Sequence, residues 1–229
     1  MNSKLTRLYF LVKGKYKHIK RTTRLPKKWY GSKGGGFYVG HKLLNKHSVV
    51  YSFGVGEDIS FDKSLIENHE CKIFAFDPTP KSIAWCKEQD LPEKFSLYEY
   101  GIAPKTGVMQ FHLPKNKEYV SGSLVAHDSV SNHDLIDVHM KCFADIVGEL
   151  GHQKIDLLKM DIEGAEYEVI DGILDADVEI NQIAIEFHER FFKEGKQKTI
   201  EFIQKMKNNG YHIFGISDIY EEVSFVKMR

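Results

Sequence analysis

Ser48-Val49-Val50-Tyr51-Ser52-Phe53-Gly54-Val55-Gly56-Glu57-Asp58 decides the fold. Its first half is a β-branched and aromatic run of strand length, apolar enough to be buried on both faces. Its second half is a glycine turn that lets backbone come close to a ligand at a helix start. A helix is predicted from Asp58 to His69, with Ile59, Phe61, Leu65 and Ile66 as its apolar stripe. The pattern then repeats. Lys72–Phe76 reads as a second strand, stopped by Asp77-Pro78, and Thr79-Pro80 opens a helix to about Gln89. Phe95–Ile102 reads as a third strand, with Gly107–Leu113 as its hairpin partner. Residues 114–137 are polar and read as a long loop. Lys141–Leu150 reads as helix, Ile155–Met160 as strand, Ala165–Leu174 as helix and Gln182–Phe187 as strand. Lys196–Asn209 reads as the last helix, before strands Tyr211–Ile216 and Glu222–Lys227.

Alternating strands and helices imply crossovers and a mostly parallel sheet covered on both faces. The last two strands are joined too closely for a crossover and form an antiparallel hairpin. The expected architecture is a doubly wound, Rossmann-like α/β sheet with an antiparallel C-terminal hairpin strand. Its ligand site lies at the carboxyl ends of the strands.

The chain has 229 residues, one ordinary α/β domain, with three widely spaced cysteines that suit no disulfide framework or thiolate zinc site. No apolar run reaches the ~20 residues that span a bilayer, and the N-terminus makes a poor signal peptide. A cytoplasmic protein is expected, at most peripheral to the inner face of a membrane. The net charge of zero hides an asymmetry: thirteen Lys and Arg precede Glu57, the first acid. Residues 1–33 therefore read as a basic arm with one marginal helix, ahead of a domain over 34–229. Such an arm suits an anionic lipid or glycolipid surface; nucleic acid is disfavoured, because the body is acidic and no RNA-binding module is visible.

Glu57 and Asp58 stand where a dinucleotide's pyrophosphate would lie, and Ile59 replaces the last fingerprint glycine. A cationic cofactor such as S-adenosylmethionine suits the turn better. Asp77 lies twenty-one residues beyond Gly56, the spacing for an acid that holds both ribose hydroxyls in a fork. Asp161 and Glu163 follow the fourth strand. They could share Mg²⁺. His188 ends the fifth strand as a neutral imidazole base, with Glu186 two residues earlier on the same face. The Gly34–Gly36 run reads as a hinge carrying Phe37 and Tyr38 to a sugar ring, and Ser121 and Ser123 as parts of a substrate lid.

The run Lys159-Met160-Asp161-Ile162-Glu163-Gly164-Ala165-Glu166 resembles the signature of the FkbM family of methyltransferases. Val50–Asp62, Phe76–Pro80, Trp29–Ser32 and Gly35–Tyr38 resemble its methyltransferase-24-like branch, so the likeness spans about residues 29–227. The resemblance implies a class I, S-adenosylmethionine-dependent O-methyltransferase acting on a sugar, glycan or other small-molecule hydroxyl. It places Phe53, Gly54, Val55, Gly56, Asp58, Asp77, Gly101, Ile102 and Asp161 around the cofactor. Ser52 stands where many such enzymes carry an acid for the methionine amino group, leaving Glu57, Asp58 or Asp161 to replace it. The competing readings are an RNA methyltransferase that uses the arm, a nicotinamide-dependent sugar-nucleotide enzyme, and a membrane-binding pseudoenzyme.

Overall fold

The computed structural model describes Phe10, residues 15–116 and residues 122–228. The predicted helix of the arm falls largely outside the described residues. A seven-stranded sheet forms the centre. Its parallel strands are β3 (Val49–Phe53), β4 (Lys72–Phe76), β5 (Phe95–Tyr98), β10 (Leu157–Met160) and β12 (Gln182–Glu186), while the short β9 (Lys154–Ile155) and β11 (Glu179–Ile180) pair with each other. With β13 (Tyr211–Ile216) and β14 (Glu222–Lys227), their order is β13-β14-β12-β10-β3-β4-β5. Only β14 runs antiparallel to its neighbours, inserted between β12 and β13. This is the Rossmann-like arrangement expected, and the order in which the chain adds strands reverses between the parallel neighbours β3 and β10. Helices α1 (Ser60–His69), α2 (Pro80–Lys87), α3 (Phe143–Leu150), α4 (Glu166–Leu174) and α5 (Gly195–Asn208) cover the two faces. The central strands are apolar on both sides because both sides are covered: Val50, Tyr51, Leu157, Leu158, Ile183 and Ala184 are all buried. No helix among the described residues is long and apolar enough to cross a membrane.

Three departures from the sequence reading shape the site. Phe95–Ile102 is not one strand. It breaks at Glu99-Tyr100, and Gly101–Ile102 (β6) pairs with a separate three-stranded sheet. Gly107–Pro114 (β7) does not pair with β5; its partner is Val130–Lys141 (β8), inside the stretch expected to be loop. The reason is visible in Ile136, Val138 and Met140, which alternate with Asp137, His139 and Lys141. That period-two pattern marks a strand buried on one face, and the many polar residues mask it. The β7–β8 hairpin rises over the carboxyl ends of the main sheet.

The third departure is the glycine run. Lys28–Tyr30 (β1) and Phe37–Val39 (β2) form an antiparallel hairpin, and Gly31–Gly36 is its tip rather than a linker or hinge. Gly36 is required there, since a Cβ would lie 2.4 Å from the Tyr30 carbonyl oxygen. The expected boundary between residues 33 and 34 falls at the tip of this hairpin. Upstream, Ile19 is buried in the main core, and the Thr22 and Thr23 amides donate to the Ile213 carbonyl on edge strand β13. This stretch of the basic arm is thus a docked part of the domain. It shields a sheet edge.

Candidate active site

The cleft opens where β3 and β10 diverge. Gly54 has φ 82° and Gly56 φ 58°, so the chain turns sharply away from the strand end. A Cβ on Gly54 would stand 1.7 Å from the Asp161 carbonyl oxygen, so only glycine lets the two strand ends meet. Buried Lys159 donates its ammonium to the Gly54 carbonyl from beneath and lies 3.9 Å from the Asp161 carboxylate. Asp62 is also buried here. Burial pushes its carboxyl up to about 6, against the pull of the Lys159 ammonium.

Phe53, Gly54, Val55, Gly56, Asp58, Asp77, Gly101, Ile102 and Asp161 all line this one cleft. Asp77 does so in an unexpected way. Its Oδ2 accepts from the Val55 and Gly56 amides, both at 2.9 Å, and its Oδ1 accepts from the Thr79 amide at 2.8 Å. A carboxylate oxygen takes about two donors, so one acceptor position remains on Oδ1. The carboxylate thus also clamps the glycine turn. Asp58 ties the β1–β2 hairpin to α1, accepting from Ser32 Oγ at 2.7 Å and the Ser60 amide at 2.8 Å. Partial burial raises its carboxyl, but these hydrogen bonds outweigh burial and leave it below the ordinary range.

The opposite wall is built from the signature run. Glu163 has φ 53° and Gly164 φ 100°, so the chain turns left-handed twice after β10. A left-handed glutamate is strained, and such strain clusters at functional sites. Two groups hold it. Ser123 Oγ donates to the Glu163 carbonyl at 2.6 Å, and Glu166 Oε2 accepts from the Gly164 amide at 2.9 Å. Fully buried Glu166 also uses Oε1, accepting from the His188 amide at 2.9 Å and from His188 Nδ1 at 3.1 Å. His188 is thereby fixed with Nε2 facing Glu163 at 3.3 Å, Glu186 at 3.5 Å and Asp161 at 3.8 Å.

Burial alone would lower the pKa of His188, but Glu166, Glu163 and Asp161 outweigh it and raise it to about 10. Glu186 is pushed up to about 9 by burial and by Asp161. The expected neutral imidazole base is therefore an imidazolium at neutral pH. The expected carboxylate pair is likewise recast: the cluster with the mutual spacing of metal ligands is Asp161, Glu186 and His188.

The substrate residues fare less well. Phe37 is buried in the core against Phe61, 5.5 Å between ring centroids. Tyr38 packs on Trp29 and under the Lys27 ammonium, away from the cleft. Alternation along β2 cannot turn either ring toward the strand ends. The tip of their hairpin, Ser32, Gly34 and Gly35, lines the cleft instead. Ser121 lies outside the described residues. Ser123 is buried and holds the Glu163 backbone. Phe111, Leu124 and Met140 supply an apolar roof from the β7–β8 hairpin. Sequence reasoning missed that roof, although the alternation in β8 could have found it.

The methyltransferase FkbM domain matches residues 49–213, which span both walls of the cleft. The chain belongs to the FkbM methyltransferase family. Among curated relatives, this FkbM domain is 27% identical over 155 residues to the probable methyltransferase-like protein 24 of Homo sapiens, covering 66% of this chain and 36% of that protein. It is 29% identical over 169 residues to the 2-O-methyltransferase NoeI of Sinorhizobium fredii, covering 67% of this chain and 69% of NoeI. The chain thus spans about a third of the human relative's length. Among solved structures, the methyltransferase FkbM of Methylobacillus flagellatus superposes with a TM-score of 0.51 at 13% identity, over 80% of this chain and 44% of that one. At that identity the likeness establishes the fold alone.

Proposed function

We propose that this FkbM domain transfers a methyl group from S-adenosylmethionine to a hydroxyl of a sugar, glycan or other small-molecule acceptor. The observation that carries the reading is the mixed lining of the cleft. Asp58, Asp161 and Glu163 contribute carboxylates that suit a sulfonium and an ammonium. Ile102, Phe111, Leu124 and Met140 contribute apolar surface that suits an adenine. Among the described residues lining the cleft, Lys159 carries the one ammonium, and the Gly54 carbonyl takes it up, which disfavours a pyrophosphate. The NoeI name, a 2-O-methyltransferase, supports oxygen as the acceptor atom.

S-adenosylmethionine supplies a methyl group on a sulfonium, whose S–CH₃ bond breaks as the acceptor's O–CH₃ bond forms. The protein must align the hydroxyl and take its proton. Glu163 is placed for that task. Glu163 lines the cleft, its backbone is locked by Ser123, and its carboxylate lies 3.3 Å from His188 Nε2. The roof over the cleft excludes water from the sulfonium. Calorimetry with S-adenosylmethionine tests the binding half of the reading, and failure to bind refutes it. For the chemical half, Glu163→Gln should lose about 10²–10⁴-fold in rate, the usual contribution of a positioned acid or base, with cofactor affinity unchanged. A variant as fast as the parent would remove Glu163 from the mechanism.

A further inference from the structure

His188 is completely buried, yet its Nε2 makes no hydrogen bond among the described residues. Unpaired buried polar atoms are rare and costly. Here the atom is aimed at carboxylates that lie too far or too poorly oriented to satisfy it: Glu186 at 3.5 Å, Asp161 at 3.8 Å, and Glu163 at 3.3 Å off to the side. None of the three contacts is a hydrogen bond, and their separations suit a shared ion. Two ligands each about 2.1 Å from one ion, the usual bond length to nitrogen and oxygen, stand about 3.0 Å apart at a right angle and about 4.2 Å apart when opposed. The ligand atoms of Asp161, Glu186 and His188 all fall within 4.8 Å of one another.

The surroundings complete the pattern. Glu166 accepts the Nδ1 proton of His188 and so directs Nε2 into the cluster, where a metal ion would displace the Nε2 proton. That carboxylate–histidine pair is how proteins orient imidazole ligands to metals. Arg190 lies 3.7 Å from Glu186 and 3.0 Å from Glu221, holding the second carboxylate from outside. Asp161 and Glu163 are a fifth to a quarter exposed toward the cleft, so the far side of the site is open to an acceptor.

The geometry points to a divalent metal site formed by Asp161, Glu186 and His188, at the methyl-transfer end of the cleft. One imidazole with two carboxylates suits a first-row transition ion such as Mn²⁺ better than Mg²⁺, which prefers an all-oxygen shell. Its place beside Glu163 rests on the methyltransferase reading: an acceptor oxygen bound there would lose its proton to Glu163 more readily. The site itself does not rest on that reading.

The test uses the full chain, freed of metal with EDTA, dialysed, and titrated with MnCl₂ by calorimetry and electron paramagnetic resonance. One Mn²⁺ should bind per chain, with nitrogen coupling from the imidazole in the pulsed spectrum. His188→Gln should abolish that coupling and weaken binding at least tenfold. Glu186→Gln, nearly isosteric, should weaken it similarly and serves if the histidine variant does not fold. Glu166→Gln should cost about 10–100-fold, as for other outer-shell carboxylates. No stoichiometric Mn²⁺ in the parent protein, or parental affinity in the His188 and Glu186 variants, overturns the site. A parallel titration with S-adenosylmethionine in EDTA separates the two ideas. Cofactor binding without metal binding refutes only the site, and the converse refutes only the methyltransferase reading.

Discussion

Glu166→Gln is the most informative single change in the molecule. The parent carboxylate is fully buried and accepts three hydrogen bonds, from the Gly164 amide, the His188 amide and His188 Nδ1. Glutamine keeps the shape but only one acceptor oxygen. If that oxygen stays with His188, the new amide faces the Gly164 N–H, donor against donor. One buried N–H left unsatisfied costs about 1–3 kcal/mol, and the surviving bonds lose their charge assistance. Breaking a buried charge pair by removing one partner typically costs about 3–5 kcal/mol, and the two routes agree. Against a domain stability of about 5–15 kcal/mol, urea unfolding should show the loss clearly. The variant should also change the pH profile in metal-free buffer. His188 has a folded pKa of about 10, above its ordinary 6.5, so its contribution is fully present below pH 6.5 and is lost as pH rises through 10. Glu166 is the foremost group raising that value. Without its charge, the alkaline decline in stability should shrink and shift toward pH 6.5. A variant within 1 kcal/mol of the parent, with an unchanged profile, would refute the claim that Glu166 holds the site together.

Three further outcomes follow. Gly54→Ala places a methyl 1.7 Å from a backbone oxygen at φ 82° and should abolish cofactor binding or folding. Gly148→Ala, in the open middle of α3 with no atom within 4 Å of the added carbon, should instead stabilise by about 0.5–1 kcal/mol, both read by thermal melting. The Asp62 carboxyl, pushed up to about 6 from an ordinary 3.8, contributes stability fully present below 3.8 and lost as pH rises through 6. Asp62→Asn should therefore match the parent near pH 4 and exceed it by about 2–3 kcal/mol at pH 7; equal stability at pH 7 would show that Lys159 fully compensates the buried charge.

The strand–helix alternation and the glycine-turn wall of the cleft were legible in the sequence because each is written in contiguous residues. A strand, a glycine turn and a helix start follow one another within Val49–Ser60, and Asp77 and Asp161 stand at strand ends that apolar runs mark plainly. The substrate side was not legible, because it depends on register between distant segments. Phe37 and Tyr38 follow three glycines and so resemble a mobile flap. Pairing of Lys28–Tyr30 with Phe37–Val39 turns them into packed strand residues, and no local pattern announces that pairing. Strand β8 was hidden differently. Its alternation is present, but its outward positions carry Asp, His and Lys, and composition outweighed period.

The protonation of His188 illustrates the deeper limit. Its side chain is one histidine at a strand end, ordinary in sequence. Its charge is set by Glu166 from the start of α4, by Glu163 in a left-handed turn and by Asp161 at the end of β10. Sequence spacing places each of these near a strand end, but three carboxylates around one imidazole arise only when β10 and β12 lie side by side. The same adjacency explains why the signature run is so densely acidic. Asp161 and Glu163 face the cleft, whereas Glu166 turns inward to hold both the left-handed turn and the histidine. A single run thus supplies two carboxylates that face the cleft and a third that fixes their geometry. Replacing the third should disturb the other two without touching anything bound, which is why Glu166 separates positioning from contact more cleanly than any residue lining the cleft.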